Sequence, residues 1–289
     1  MAEPRSTPAP PTDQLGTLLP GDRVERCAGR FQRFDVIVGT VTVPALLWSS
    51  TEPSPTLLVM FNGAVRRIPE KAPEEVFQRS TWVEDIHSDI LFIADPTLRS
   101  DNEIGIGWGQ GTAGVYAIPA MAQTVFSIAE SLGIPSTRRM YYGSSAGGFQ
   151  ALQIAARDSG SRALVNNPQI DWTLYLRQSV EAICEHTYAG ASADTVTRSH
   201  PDRTSAARAF EEFENVPHTR YLVNAASRND AARQMPSLIA GMSTGPTDIT
   251  PRIDVSLYVD RAAGHTPLPK AATIDEINHM IDEVARSNE

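Results

Sequence analysis

A run of small residues, Gly-Ser-Ser-Ala-Gly at 143–147, constrains the fold of this chain more than any other feature of its sequence. A β-type segment, Met-Tyr-Tyr at 140–142, enters the run, and a helix-forming segment at 149–156 leaves it. The two glycines give room for a strand and a helix to approach each other around a sharp turn. Such a turn lifts the hydroxyl of its central serine above the edge of a sheet. Ser145 is the predicted nucleophile, because it has glycine both two residues before and two residues after it.

Short apolar runs alternate with helical segments along most of the chain. Strands are predicted at 31–48 as a pair, and at 56–61, 89–94, 138–142, 162–166, 220–225 and 253–259. Helices are predicted at 116–133, 146–156, 229–240 and 272–286. This alternation predicts an α/β fold with a mostly parallel central sheet and helices on both of its faces.

Two segments depart from this alternation. Residues 170–216 are helix-rich and polar, which predicts a helical cap or lid inserted into a core formed by 21–169 and 217–289. An ordinary pair of surface helices is the alternative reading of this segment. Residues 1–20 are rich in proline and small polar residues, which predicts a mobile tail.

Composition and charge exclude several classes of function. Hydrophobic residues make up 41% of the 289 residues and charged residues 20%, a balance that lets a chain bury a globular core. The net charge of −9 argues against a nucleic-acid partner, which would need clustered Lys and Arg. We expect no membrane partner, no secretory signal and a cytoplasmic location. Cys27 and Cys184 lie far apart, and no cluster has metal-ligand spacing, so neither a metal nor a cofactor is predicted.

With the Ser145 turn and this order of elements, the chain resembles the α/β-hydrolase superfamily over roughly residues 35–287. The resemblance implies that nucleophile, acid and histidine follow one another along the chain, and that two backbone amides form an oxyanion hole. One amide is that of Ala146, directly after the nucleophile. The second lies in the loop after the run 56–61, where we expect Ala64, with Gly63 as the alternative. A plain turn is the other interpretation of this loop.

The loop also contains a departure from the pattern of many esterases. Those esterases have His-Gly where this chain has Asn62 followed by glycine. The departure is mild, because backbone amides rather than the histidine side chain hold the oxyanion. Asn62 is therefore taken as a candidate substrate contact.

Six histidines compete for the role of the base. His265 is the predicted base, since it lies in the loop Ala-Gly-His-Thr-Pro directly after a late strand. Asp230, which follows the strand at 220–225 and opens a helix, is the predicted acid. Its alternative role is that of a helix N-cap, and Asp171, after the preceding strand, is the second candidate acid. In the implied mechanism, Asp230 orients His265, which takes the proton of Ser145.

Two further residues are predicted to line the substrate pocket. Trp108 lies in the glycine-rich segment 105–111, which does not satisfy the dinucleotide-binding pattern because Gln110 takes the place of its third glycine. A simple hydrophobic anchor is the alternative role of this tryptophan. Gln169 ends the run Asn-Asn-Pro-Gln, at the strand edge where ligands bind in open α/β sheets.

The leading hypothesis is a serine esterase that cleaves a small-molecule carboxylic ester through an acyl-Ser145 intermediate. The Gly-Ser-Ser-Ala-Gly-Gly-Phe run together with Asn-Pro-Gln is also similar to hydrolase-like proteins of bacterial glycan assembly, some of them acyltransferases. An acyltransferase with an alcohol or amine acceptor is therefore the first alternative. A catalytically inactive binding protein with the same fold is the second. The sequence makes no prediction about oligomeric state.

Overall fold

The structure of the protein is a computed structural model that describes residues 10–243 and 252–286. Within these ranges, nine strands form one sheet in the order β1-β2-β3-β5-β4-β6-β7-β8-β9. The strands are β1 Thr12–Leu18, β2 Arg30–Val38, β3 Val41–Ser49, β4 Leu57–Phe61, β5 Asp89–Ile93, β6 Arg139–Ser144, β7 Arg162–Asn166, β8 His218–Asn224 and β9 Ile253–Tyr258. The pairs β2–β3 and β3–β5 are antiparallel, and all other neighbouring pairs are parallel.

Eight α-helices connect the strands within the described ranges. They are α1 Ile118–Ser131, α2 Ala146–Ala156, α3 Arg177–Thr187, α4 Ala193–Ser199, α5 Pro201–Thr204, α6 Ala206–Glu212, α7 Met235–Met242 and α8 Lys270–Arg286. A π-helical turn, Asp230–Gln234, runs directly into α7, and short 3-10 helices lie at Pro73–Glu75, Ser80–Asp85, Ser136–Arg138 and Trp172–Leu174. None of these helices has the length and apolar content that crossing a bilayer requires.

The sheet is covered on both faces, which explains its almost wholly apolar central strands. In β4, Leu57, Val59 and Phe61 join the core under α1, α2 and α6, whereas Leu58 and Met60 face the opposite side. Helix α8 covers that second face with residues spaced three and four apart, namely Ile274, Ile277, Ile281 and Val284. The predicted mostly parallel sheet with helices on both faces is confirmed.

The start of the chain differs from the prediction of a mobile tail. Thr12–Leu18 forms β1, which pairs in parallel with β2 along its length. Most of its side chains are exposed, so backbone hydrogen bonds rather than burial hold this edge strand. The segment shows no apolar alternation from which a strand could be predicted. Residues 1–9 of the predicted tail lie outside the described residues.

The helical segment predicted at 170–216 connects β7 to β8 and contains α3 to α6. Helix α6 contributes Ala206, Ala209 and Phe210 to the same core as α2. Helices α3 and α4 instead pack around Trp172 in a separate apolar cluster beside the carboxyl ends of the strands. The segment is thus anchored in the core at one end and lies over the rim of the sheet at the other.

Candidate active site

Ser145 occupies the sharp turn between β6 and α2. Its backbone has φ +56° and ψ −124°, a region that costs a non-glycine residue of order 1–3 kcal/mol. Glycines flank the turn because the backbone crowds there. A Cβ on Gly143 would overlap the backbone of Gly147, and a Cβ on Gly147 would lie 2.7 Å from the carbonyl oxygen of Phe61. The local sequence thus holds the serine in a strained conformation at the carboxyl edge of the sheet.

A continuous chain of hydrogen bonds joins three of the predicted site residues. His265 Nε2 lies 2.9 Å from Ser145 Oγ, and His265 Nδ1 lies 2.8 and 2.9 Å from the two carboxylate oxygens of Asp230. Asp230 is fully buried and also accepts a hydrogen bond from Ser227. Because a carboxylate only accepts, Nδ1 carries the imidazole proton, and Nε2 is left to accept from the serine hydroxyl.

Side-chain contacts distinguish the positions of Asp230 and Asp171, the two candidate acids. Asn229 occupies the N-cap position of the turn Asp230–Gln234, so the Asp230 carboxylate is used on His265 and not as a cap. Asp171 caps the short helix Trp172–Leu174, accepting from the amide and hydroxyl of Thr173 at 2.9 and 2.6 Å.

Two asparagines fasten the loop that carries His265. Asn224 Nδ2 donates to the carbonyl of Gly264 at 2.8 Å, and Asn167 Nδ2 donates to the carbonyl of His265 at 3.2 Å. Both asparagines are fully buried at the carboxyl ends of β7 and β8. The position of the imidazole is therefore set by the sheet, although the imidazole itself is half-buried.

The loop after β4 lies beside the serine and is held by Gln78. The backbone N–H of Gln78 donates to Asn62 Oδ1 at 2.9 Å. The side-chain amide of Gln78 donates through Nε2 to the carbonyl of Ala64 at 2.8 Å, and it accepts through Oε1 from the backbone N–H of Gly63 at 2.9 Å. The Gly63 amide is thus occupied within the protein, so of the two amides predicted for this loop that of Ala64 remains the candidate oxyanion donor. The Ala146 amide begins α2, where the first N–H groups of a helix have no acceptor within the helix.

Asn62, predicted as a substrate contact, has a different place. It is buried, and its side-chain amide donates to the carbonyl of Val76 and accepts from Gln78. The nitrogen and the oxygen of this side-chain amide each form a hydrogen bond with a backbone group of the protein. Asn62 therefore supports the loop instead of facing a ligand.

Trp108 and Gln169, also predicted as substrate contacts, are fully buried and bonded to each other. The Trp108 indole donates to Gln169 Oε1 at 2.7 Å, and Gln169 Nε2 donates to Ser145 Oγ at 2.7 Å. An indole N–H can only donate, so it determines which end of the Gln169 amide faces the serine. Trp108 also stacks on Trp172 with ring centroids 5.5 Å apart. These contacts match the alternative role predicted for Trp108, a buried anchor.

Three residues near the serine have no counterpart in the sequence predictions. Gln78 holds the loop after β4, and Arg79 donates to the hydroxyl of Ser144 at 2.7 Å. The Tyr175 ring lies 5.7 Å from the His265 ring, and burial raises the pKa of this phenol. All three lie in irregular segments without a motif, and they reach the site only through the tertiary fold.

A cavity of about 660 Å³ opens beside the imidazole. It is lined by Tyr175, Leu176, Arg228, Asn229, Arg233 and His265. A neighbouring cavity of about 720 Å³ extends from the same region along α3. A third cavity, of about 740 Å³ and lined by Trp48, lies at the opposite edge of the sheet, where the parallel strands begin. Of these three cavities, the first is the one lined by a residue of the hydrogen-bonded chain, His265.

Metal chemistry has no evident location in the part of the chain that the structure describes. Residues 10–243 and 252–286 contain no group of three or more His, Cys, Asp or Glu that could hold a metal ion. Cys27 and Cys184 are free thiols, and burial raises the pKa of Cys184.

Comparison with known proteins gives a result for the fold alone. No protein-family model and no curated protein sequence matches the chain. Dipeptidyl peptidase 4 of Porphyromonas gingivalis matches 88% of the chain with a TM-score of 0.62 at 12% identity, and the match covers 35% of the peptidase. The chain thus spans about a third of that enzyme.

Two other solved structures match along most of their own length. The capsule O-acetyltransferase of Neisseria meningitidis serogroup A matches 85% of this chain and 96% of its own, with a TM-score of 0.59 at 13% identity. An HSL homologue from a metagenome library matches 91% of this chain and 88% of its own, with a TM-score of 0.52 at 12% identity. Together with the sheet order and the turn at Ser145, these likenesses show that the chain has the α/β-hydrolase fold.

Proposed function

We propose that this protein is a serine hydrolase that cleaves a carboxylic ester through an acyl intermediate on Ser145. The observation that carries the proposal is the hydrogen-bonded chain from Asp230 through His265 to Ser145, with links of 2.8 and 2.9 Å. A buried carboxylate, an imidazole and a strained serine in this order are the groups that nucleophilic acyl transfer requires.

In the proposed reaction, Ser145 Oγ attacks the ester carbonyl while its proton passes to His265 Nε2. The new C–O bond places negative charge on the carbonyl oxygen, which accepts hydrogen bonds from the amides of Ala146 and Ala64. Collapse of this intermediate breaks the ester bond, and the leaving alcohol takes the proton from His265. A water molecule then gives a proton to His265 and attacks the acyl carbon. The bond between this carbon and Ser145 Oγ breaks, the acid leaves, and His265 returns the proton to Oγ.

Gln169 adds a further donor to this site. Its Nε2 lies 2.7 Å from Ser145 Oγ and 3.4 Å from His265 Nε2. During attack, this N–H would stabilise the negative charge that develops on Oγ. Trp108 acts through Gln169 as a positioning residue, since its indole fixes the orientation of the amide.

An acyltransferase that uses the same intermediate is the second candidate. In that reaction an alcohol or amine replaces water and takes the acyl group from Ser145. Two observations favour it: the fold likeness to an O-acetyltransferase over almost the whole length of that protein, and the cavity of about 660 Å³ beside His265. A non-catalytic binding protein is the third reading, and the intact chain of hydrogen bonds at Ser145 argues against it.

The proposal is tested with short-chain chromogenic esters and a fluorophosphonate probe. We expect the wild type to react with both, and Ser145→Ala to lose both reactions. Ser144→Ala is the matched control, because it removes the neighbouring hydroxyl, which bonds Arg79 instead of His265. Labelling that persists in Ser145→Ala would contradict the proposal. Ester cleavage that becomes fast only when an alcohol or amine is added would identify a transferase.

A further inference from the structure

Two arginines line the cavity beside His265, and neither has an acidic partner among residues 10–243 and 252–286. Arg228 follows β8, and Arg233 lies on the π-helical turn that carries Asp230. Both side chains are exposed, and neither forms an ion pair within the described residues. Arginines elsewhere in the structure do form such pairs, as Arg139 does with Asp158 and Arg220 does with Glu276. In a chain of net charge −9, this cavity is therefore a local concentration of positive charge next to the imidazole.

A third lining residue, Asn229, contributes an unused donor. Its side-chain nitrogen is buried and has no hydrogen-bond partner among the described residues. Leaving a buried donor without an acceptor is unfavourable, so a ligand that supplied an acceptor to this nitrogen would gain a favourable hydrogen bond. The two arginines can only donate hydrogen bonds, and Asn229 adds the two N–H groups of its amide nitrogen. This set of donors suits a ligand whose polar atoms are mostly acceptors.

Another part of the cavity lining comes from the start of the helical segment between β7 and β8. Tyr175 and Leu176 lie there, and Leu176 is 63% exposed although it is a large apolar residue. The lining of the cavity thus combines apolar surface, two cationic side chains and the imidazole of His265. This arrangement suits a molecule with an apolar part and a charged end.

We propose that this cavity binds an anionic group, phosphate or carboxylate, that belongs to the substrate of the Ser145 reaction, with Arg228 and Arg233 as its main partners. The inference rests on the proposed acyl-Ser145 chemistry and adds the class of substrate. A guanidinium group binds both kinds of anion through paired N–H···O bonds. The anion has two potential sources, a phosphorylated leaving group, as in a coenzyme A thioester, or a carboxylate on the acyl group.

The test compares two pairs of substrates that differ only in charge at one end. S-acetyl-4′-phosphopantetheine is paired with S-acetylpantetheine, which has the same thioester without the phosphate. The p-nitrophenyl ester of succinate is paired with that of butyrate. The first-turnover release of thiol or p-nitrophenol is measured for the wild type, Arg228→Gln, Arg233→Gln and the double variant. Arg138→Gln is the matched control, because it removes the same charge about 20 Å away at the start of β6.

We expect each single variant to lower the rate with one of the two anionic substrates by about three- to tenfold, and the double variant by more. The rate with its neutral partner should stay within about twofold. The substrate pair that responds identifies the source of the anion. Raising the salt concentration should reduce the difference, because both arginines are exposed. Equal changes with charged and neutral substrates, or no change with either, would overturn the inference.

A binding measurement separates this inference from the proposed function. Ser145→Ala cannot form the acyl intermediate, but it retains the cavity. We expect this variant to bind coenzyme A, succinate or both in a titration. Replacement of both arginines in the same variant should raise the dissociation constant of the bound anion at least tenfold. If the wild type reacts with a neutral ester but Ser145→Ala binds neither anion, the inference fails and the proposed function stands. If anions bind but no ester reacts at Ser145, the proposed function fails alone.

Discussion

Replacement of Gln169 by methionine tests how the serine is held before it reacts. Methionine has a similar length but no N–H, so the 2.7 Å hydrogen bond to Ser145 Oγ is lost while most of the buried volume remains filled. A hydrogen bond to a group that becomes charged contributes about 1.5–3 kcal/mol. If this contribution is made in the transition state, the acylation rate should fall about 10- to 150-fold.

The assay is the second-order rate constant for labelling of Ser145 by a fluorophosphonate, with thermal unfolding as a check on folding. Trp108→Phe is measured in parallel, because it keeps a ring against Trp172 but removes the indole N–H that orients Gln169. We expect a loss of about 2- to 10-fold for Trp108→Phe, and a double variant no slower than Gln169→Met alone, since both changes act through one hydrogen bond. Labelling of Gln169→Met at the wild-type rate, or full additivity of the two losses, would refute the reasoning.

Three further predictions concern the acid, the oxyanion loop and the core. Asp230→Asn should lower the rate of ester cleavage on the order of 10³- to 10⁴-fold, because the imidazole loses the acceptor that fixes its tautomer, whereas Asp171→Asn should lower it less than about threefold. Gln78→Ala should lower kcat about tenfold with little change in KM, because the amide of Ala64 would lose its fixed position. Steady-state kinetics with a neutral ester measure both constants. Ile277→Ala should lower the free energy of unfolding by about 2–5 kcal/mol in denaturant titrations without lowering kcat in buffer, since this residue is 1% exposed under the sheet.

The parts of the structure that could be predicted from the sequence are those set by local patterns. The glycines at 143 and 147 predict a close crossing of strand and helix, and the structure has that crossing at Ser145. Apolar runs such as 56–61 predict strands buried on both faces, because nothing in them alternates with polar residues. The structure also brings Asp230, His265 and Ser145 together, as the order of these residues along the chain implied.

The remaining parts depend on contacts between distant segments, which no local pattern encodes. Gln169 and Trp108 are 61 residues apart, yet the Trp108 indole donates to Gln169, and Gln169 donates to Ser145 Oγ. Gln78 reaches the loop after β4 from an irregular segment. The strand at Thr12–Leu18 is held by backbone pairing with β2. Its side chains are mostly exposed, so the sequence of this segment has no apolar pattern that predicts a strand.

The most direct test of the account is intact-protein mass spectrometry after rapid mixing with an excess of a short-chain p-nitrophenyl ester. The account predicts a mass gain of one acyl group that appears with the first turnover, maps to Ser145 by peptide fragmentation, and is absent from Ser145→Ala. An acyl group found on another residue, or ester cleavage that continues unchanged in Ser145→Ala, would contradict it.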